Sequence, residues 1–205
     1  MDFELKGKKA IVSAGGSGIG HTVVEEFIKQ GVSISTCDID KDYILELRSK
    51  YPQIYAEVVD VGDELAVKEF CIKSIEFLGG LDCLVNNAGV AGPTSPVEEI
   101  DTEDWLHCLN VCLSSQFYFV KSCLQQLRES SSASIINISS AAGKHGFALR
   151  TPYASAKWGV IGLTKSLSIE LGKDKIRVNA ILPGLVAGDR QQNVLRNKAQ
   201  KMGKS

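Results

Sequence analysis

Ser13-Ala14-Gly15-Gly16-Ser17-Gly18-Ile19-Gly20 is the stretch on which the fold turns. A short apolar run, 10–13, leads into it. It leads in turn into a segment where Ile19, Val23, Val24, Phe27 and Ile28 recur at three and four residues, the stripe of an amphipathic helix. Gly31 then serves as the helix C-cap. A strand that turns through glycines straight into a helix presents free N–H groups at the helix N-terminus, and the missing Cβ atoms let a phosphate approach the backbone. Residues 13–20 therefore predict a pyrophosphate-binding turn. A second apolar run, 33–37, ends at Asp38, twenty residues beyond Gly18. An acid there can hold the hydroxyls of an adenosine ribose and repels a 2′-phosphate. Lys29 is the only Lys or Arg between 10 and 40, so the pattern favours NAD over NADP.

Working outward, short apolar runs at 10–13, 33–37, 54–59, 83–86, 134–138 and 177–181 alternate with helix candidates near 19–30, 41–50, 64–78, 102–128, 153–171 and 190–202. That alternation predicts an α/β fold of repeated strand–helix units around a parallel sheet. The 205 residues make one domain, with no repeat and no linker. A charge balance of 23 basic against 24 acidic residues excludes the excess that drives nucleic-acid or anionic-membrane binding. With no long apolar run and no signal-like amino end, the cytoplasm is the expected compartment. The six cysteines form no CxxC pair and read as reduced core residues. Cys108, Cys112 and His107 cannot all share one helix face, so no metal is expected.

Tyr153 and Lys157 stand four apart at the start of a helix opened by Pro152, so both fall on one face of its first turns. A phenol with a pKa near ~10 is a poor base, but an adjacent ammonium and a helix N-terminus both favour its anion. Ser140, thirteen residues upstream, closes the fifth strand, where the carboxyl ends of parallel strands gather ligands. Asn110 lies mid-helix among Leu106, Leu109, Val111 and Leu113, an awkward place for an amide unless its hydrogen bonds are used; a water-bridged link to the lysine is one such use. Singly, each residue has an ordinary reading: a capping aromatic, a solvated charge, a turn serine, a satisfied core amide. Their conjunction carries the argument.

In these motifs the chain resembles the short-chain dehydrogenase/reductase family from about residue 7 to 184. The matching pieces are the glycine turn 13–20, Asp60-Val61, Asn86-Asn87-Ala88-Gly89, Asn110, Ile138-Ser139-Ser140, Tyr153-Ala154-Ser155-Ala156-Lys157, Arg177-Val178-Asn179 and Pro183-Gly184. The resemblance implies a Rossmann-type doubly wound parallel sheet of order 3-2-1-4-5-6 in a three-layer α/β/α fold, and a tetrad of Asn110, Ser140, Tyr153 and Lys157, with Ser140 rather than Ser139 keeping the family spacing. It implies that residues 15–20 hold the pyrophosphate, Asp38 the ribose and Asp60-Val61 the adenine. Ser13, Asn87, Ala88 and Gly89 would lie along the cofactor, Tyr153 and Lys157 at the nicotinamide ribose, and Pro183, Gly184 and Val186 beside the nicotinamide. Hydride would then pass between cofactor and substrate carbon while Tyr153 handles the proton and Ser140 polarises the oxygen.

Three features depart from the family pattern. Ala14 replaces the usual first glycine, and Gly188 stands where a hydroxyl is usual. The final segment that normally adds a seventh strand is missing, so the sixth strand is expected at an open edge, in a fragment or a shortened form. Residues 185–205 form a substrate-loop and terminal-helix segment. Its last 17 residues carry Arg190, Arg196, Lys198, Lys201 and Lys204 against Asp189, on a body of net charge −5. An anionic substrate near Arg190 is one reading of this, a solvated basic face the plainer one. Apolar faces on the 102–128 and 153–171 helices predict a homodimer or homotetramer. The expected activity is alcohol–ketone interconversion on a hydroxy acid, polyol or sugar. The alternatives are a 3-oxoacyl thioester reductase and a non-catalytic dinucleotide-binding or scaffold protein.

Overall fold

A computed structural model describes residues 3–201, with backbone alone for 189–191; the expectations placed on the Arg190 side chain and on Lys204 fall outside it. Six strands, β1 (Lys9–Ser13), β2 (Ser33–Asp38), β3 (Tyr55–Val58), β4 (Cys83–Asn86), β5 (Ser134–Ile138) and β6 (Arg177–Ile181), form one parallel sheet in the order β3-β2-β1-β4-β5-β6. Helices α1 (Gly18–Lys29) and α2 (Lys41–Lys50) connect the first half. Helices α3 (Glu64–Leu78), α4 (Thr102–Leu109), α5 (Ser115–Glu129) and α6 (Thr151–Glu170) serve the second, and α7 (Asp189–Lys201) follows β6.

The order fixes the layers. Crossovers between parallel strands are right-handed, so a chain that walks from β1 to β3 and then back across the sheet lays its helices on opposite faces. Val24 of α1 with Ile44 and Leu47 of α2 pack on one face of β1 and β2. Val67, Phe70 and Cys71 of α3 with Phe119, Val120, Cys123 and Leu127 of α5 pack on the other. Ala10, Ile11 and Val12 have no exposed surface, as a strand covered on both sides requires. The walk reverses between β1 and β4. The loops after β1, β4 and β5 therefore open at one end of the sheet, around a crevice suited to a ligand.

The region expected as one helix, 102–128, is two α-helices joined by a π-helical turn, Asn110–Ser114. One extra residue per turn rotates everything beyond it, and hydrophobic spacing alone does not reveal that. The third strand is shorter than the expected 54–59, because Pro52 and the backbone bond from Ile54 N–H to the Tyr51 carbonyl belong to the turn before it. No helix among the described residues is long and apolar enough to cross a membrane.

Candidate active site

At the crevice the glycine turn is tied to β4 by side chains. Ser13 Oγ accepts from Asn87 N–H (2.9 Å) and Ala88 N–H (3.1 Å), while Asn87 Nδ2 donates to the carbonyls of Ser13 (3.2 Å) and Ala14 (2.9 Å). Ser13 and Asn87 thus shape the turn. A Cβ on Gly15 would overlap Thr36 Oγ1, and one on Gly20 would overlap the Ala14 carbonyl; one on Gly16 would lie 2.8 Å from Asp38 Oδ2. These positions are glycine because the chain itself leaves no room. Gly18 carries φ +55°, beside the extended Ser17 that begins α1, and Ile19 is half-buried behind it. The other left-handed residue of the turn is Ala14, at φ +53°.

Asp38, nearly buried at the end of β2, accepts from Gly16 N–H (2.9 Å) and Asp40 N–H (3.2 Å), so its carboxylate is held against the turn. A carboxylate fixed beside a Cβ-free cradle fits a ribose diol next to a pyrophosphate, the donor set that NAD needs. Asp60 Oδ1 accepts from Gly62 N–H (2.8 Å) in an exposed turn after β3, with Val61 packed into the core beneath it. Gly89 lies in the loop that leaves β4 for the reactive end.

At the reactive end, Pro152 sits in the first turn of α6, and Tyr153 and Lys157 follow on one face. Buried Lys157 donates from Nζ to the Ile138 carbonyl (2.9 Å) at the end of β5, and its nitrogen lies 5.8 Å from the centre of the Tyr153 ring. Ser139 is buried and donates to the Lys157 carbonyl (2.8 Å); Ser140 is half-buried, and its Oγ accepts from Ala142 N–H (3.1 Å) at the start of a short 3₁₀ turn. The two serines alternate across the strand end, so Ser140 is the one whose hydroxyl can still meet a ligand. The exit from β6 is strapped alongside: Ser139 N–H donates to the Ile181 carbonyl and Ala141 N–H to that of Pro183. Gly184 and Val186 beyond it are exposed.

Asn110 goes elsewhere. Its Nδ2 donates to the Gly62 carbonyl (2.8 Å) and its Oδ1 accepts from Tyr118 OH (3.1 Å). The hydrogen bonds that make this amide tolerable in mid-helix are met by Gly62 and Tyr118, and the amide faces the loop after β3. Three neighbours of Tyr153 were not expected. Arg150, buried at the N-cap of α6, holds its guanidinium 4.7 Å from the tyrosine ring centre and donates from Nη2 to the Ala91 carbonyl (2.6 Å). Cys108 and Cys112 pack with Ala156 beside Tyr153 and Val90. Spacing from the tyrosine could have flagged Arg150, three residues before it; Cys112 had no signal, because the π-helical turn decides which way it points.

Cys37, Cys83 and Cys108 are held as protonated, weakly nucleophilic thiols. Burial pushes Cys37 and Cys83 up to about 12, and the hydrogen bond with Cys112, then burial, pushes Cys108 further.

The short chain dehydrogenase family model matches residues 8–199. The chain is 34% identical over 200 residues to a probable galactose dehydrogenase of Rhizobium meliloti, covering 93% of this chain and 76% of that protein. It is 33% identical over 193 residues to a 3-oxoacyl-[acyl-carrier-protein] reductase of Chlamydia pneumoniae, covering 92% and 77%. The crystal structure of NAD+-bound xylitol dehydrogenase superposes with a TM-score of 0.91 at 27% identity, over 96% of this chain and 78% of that one.

Proposed function

The chain belongs to the short-chain dehydrogenase family, and from that premise we propose that it is an NAD-dependent oxidoreductase interconverting a secondary alcohol and a ketone, with Tyr153, Lys157 and Ser140 at the reacting centre. The observation that carries this reading is the convergence at one sheet end of a Cβ-free turn closed by Asp38 and a tyrosine with two cations against its ring. NAD, when bound, accepts or supplies the hydride. Residues 15–20 would cradle its pyrophosphate and Asp38 its ribose diol, with Asp60-Val61 and residues 87–89, just after β4, along its adenosine side. Pro183, Gly184 and Val186 would border the nicotinamide.

Tyr153 exchanges a proton with the substrate oxygen. Positive charge from Lys157 and Arg150 stabilises the negative charge that develops on the phenol oxygen during that transfer. Ser140 donates its hydroxyl to the substrate oxygen and lowers the cost of charge there. Lys157, fixed to Ile138, holds its charge at the bottom of the site.

A sugar or polyol alcohol is the substrate class that the galactose and xylitol dehydrogenases support. The thioester reductase at 33% identity keeps an acyl substrate as the second reading. The enzyme works as a homo-oligomer in the cytoplasm, where its six free cysteines stay reduced. The test is NADH absorbance with a panel of sugars, polyols and hydroxy acids, beside a 3-oxoacyl thioester. Wild type should form NADH with an alcohol, and Tyr153→Phe should lose about a hundredfold or more in kcat while still binding NAD by calorimetry. NAD binding without turnover of any of these would favour a scaffold.

A further inference from the structure

Asn110 and Cys112 are two residues apart on a helical segment and so project to nearly opposite sides. Asn110 is committed to the loop after β3: besides its bonds to Gly62 and Tyr118, its Nδ2 stands only 3.0 Å from where a Cβ on Gly62 would lie. Cys112 has no exposed surface and faces the other way, onto Ala156, Tyr153 and Val90. We infer that Cys112, and not Asn110, is the residue by which this helix positions the Tyr153–Lys157 wall against the loop after β4, at a place whose backbone partners are those of a carboxamide.

The contact with Val90 carries the inference. Val90 N–H donates to Cys112 Sγ (3.3 Å), and the thiol donates back to the Val90 carbonyl (3.4 Å). A single side chain thus answers both the donor and the acceptor of one residue. A thiol is weak in each role, whereas an amide supplies one strong donor and one strong acceptor. Asparagine is also close to cysteine in volume, so it can enter a packed core without overfilling it.

The loop held in this way has two other ties. Asn87 upstream locks the glycine turn, and Ala91 downstream takes the Arg150 guanidinium that lies on the Tyr153 ring. Gly92 closes over Cys108, where a Cβ would come within 2.8 Å of the sulfur. Cys112 is therefore a positioning residue between the cofactor turn and the tyrosine, and the weak thiol leaves that loop less firmly held than an amide would. The inference rests on the reading of this cleft as an alcohol–ketone site.

The test compares Cys112→Ala, Cys112→Ser, Cys112→Asn and Asn110→Ala in the full chain, reading kcat and KM with an alcohol that wild type oxidises, the melting temperature and hydrogen exchange at the Val90 amide. Cys112→Ala should cut kcat about tenfold or more, through displacement of the loop on the scale of about an ångström, and should speed Val90 exchange. Cys112→Asn should slow that exchange and raise kcat above wild type. Asn110→Ala should melt earlier and lose less kcat than Cys112→Ala. Should the alanine variant not fold, the nearly isosteric serine variant takes its place. Wild-type kcat and Val90 exchange in both Cys112→Ser and Cys112→Asn would overturn the inference, as would a larger kcat loss in Asn110→Ala than in Cys112→Ala. A wild type that oxidises no alcohol overturns the catalytic reading instead, and Val90 exchange then decides this one.

Discussion

Ala14 occupies a left-handed conformation, φ +53°, at the entrance to the cofactor turn. Its methyl costs about 1–2 kcal/mol there, partly offset by the extra freedom that glycine has in the unfolded chain. Ala14→Gly should therefore stabilise the protein by about 0.5–1 kcal/mol, a rise of about 2 °C in melting temperature, and calorimetry should show NAD binding at least as tight. Asp38 makes its own prediction. Its carboxylate is held against Gly16 and would repel a 2′-phosphate, so Asp38→Ser should weaken NAD use and increase NADP use, read as the ratio of kcat/KM for the two cofactors. Of the residues in this cleft, those that act through spacing were legible in the sequence: Tyr153, Lys157, and Ser140 over Ser139. Cys112, which acts through side-chain direction, was not.

Helices α1 and α2 are joined at the surface by Glu25, whose carboxylate meets Lys50 Nζ (2.8 Å), Tyr51 OH (2.7 Å) and His21 Nε2 (3.4 Å). The hydrogen bond from Lys50, then that from Tyr51, holds the Glu25 carboxyl down at about 2. A depressed carboxyl contributes stability above its unfolded pKa, near 4.5, and loses it as pH falls toward about 2. Wild type should thus melt above Glu25→Gln at pH 6, and the gap should close through that acid window; a gap independent of pH would remove Glu25 from the account. The π-helical turn is the element that spacing missed. Apolar residues recur on both sides of it, and the extra residue shows only where Asn110 finds Gly62 and Tyr118.

Across the whole molecule, Leu106, Phe117, Trp158 and Ile169 are exposed on α4, α5 and α6, with Ile169 at 83%. Apolar side chains on helices that already cover the sheet with their other faces are what a homodimer through these helices would bury. Light scattering should give twice the chain mass, and Trp158→Glu should shift it toward one. A monomeric wild type would remove the oligomer from the proposal.

The sequence by itself determined the alternation of strands and helices in a parallel sheet and the identity of the turn and tyrosine ends, because apolar periodicity and glycine placement act along the chain; the strand order came through the family resemblance. Tertiary structure alone decided which side chains meet inside the cleft. Ser13 reaches Asn87 across 74 residues and Asn110 reaches Gly62 across 48; such contacts depend on strand adjacency and on the phase of a helix that one added residue shifts. A two-residue difference within one segment, Asn110 against Cys112, is small in the sequence and spans the width of a helix in space.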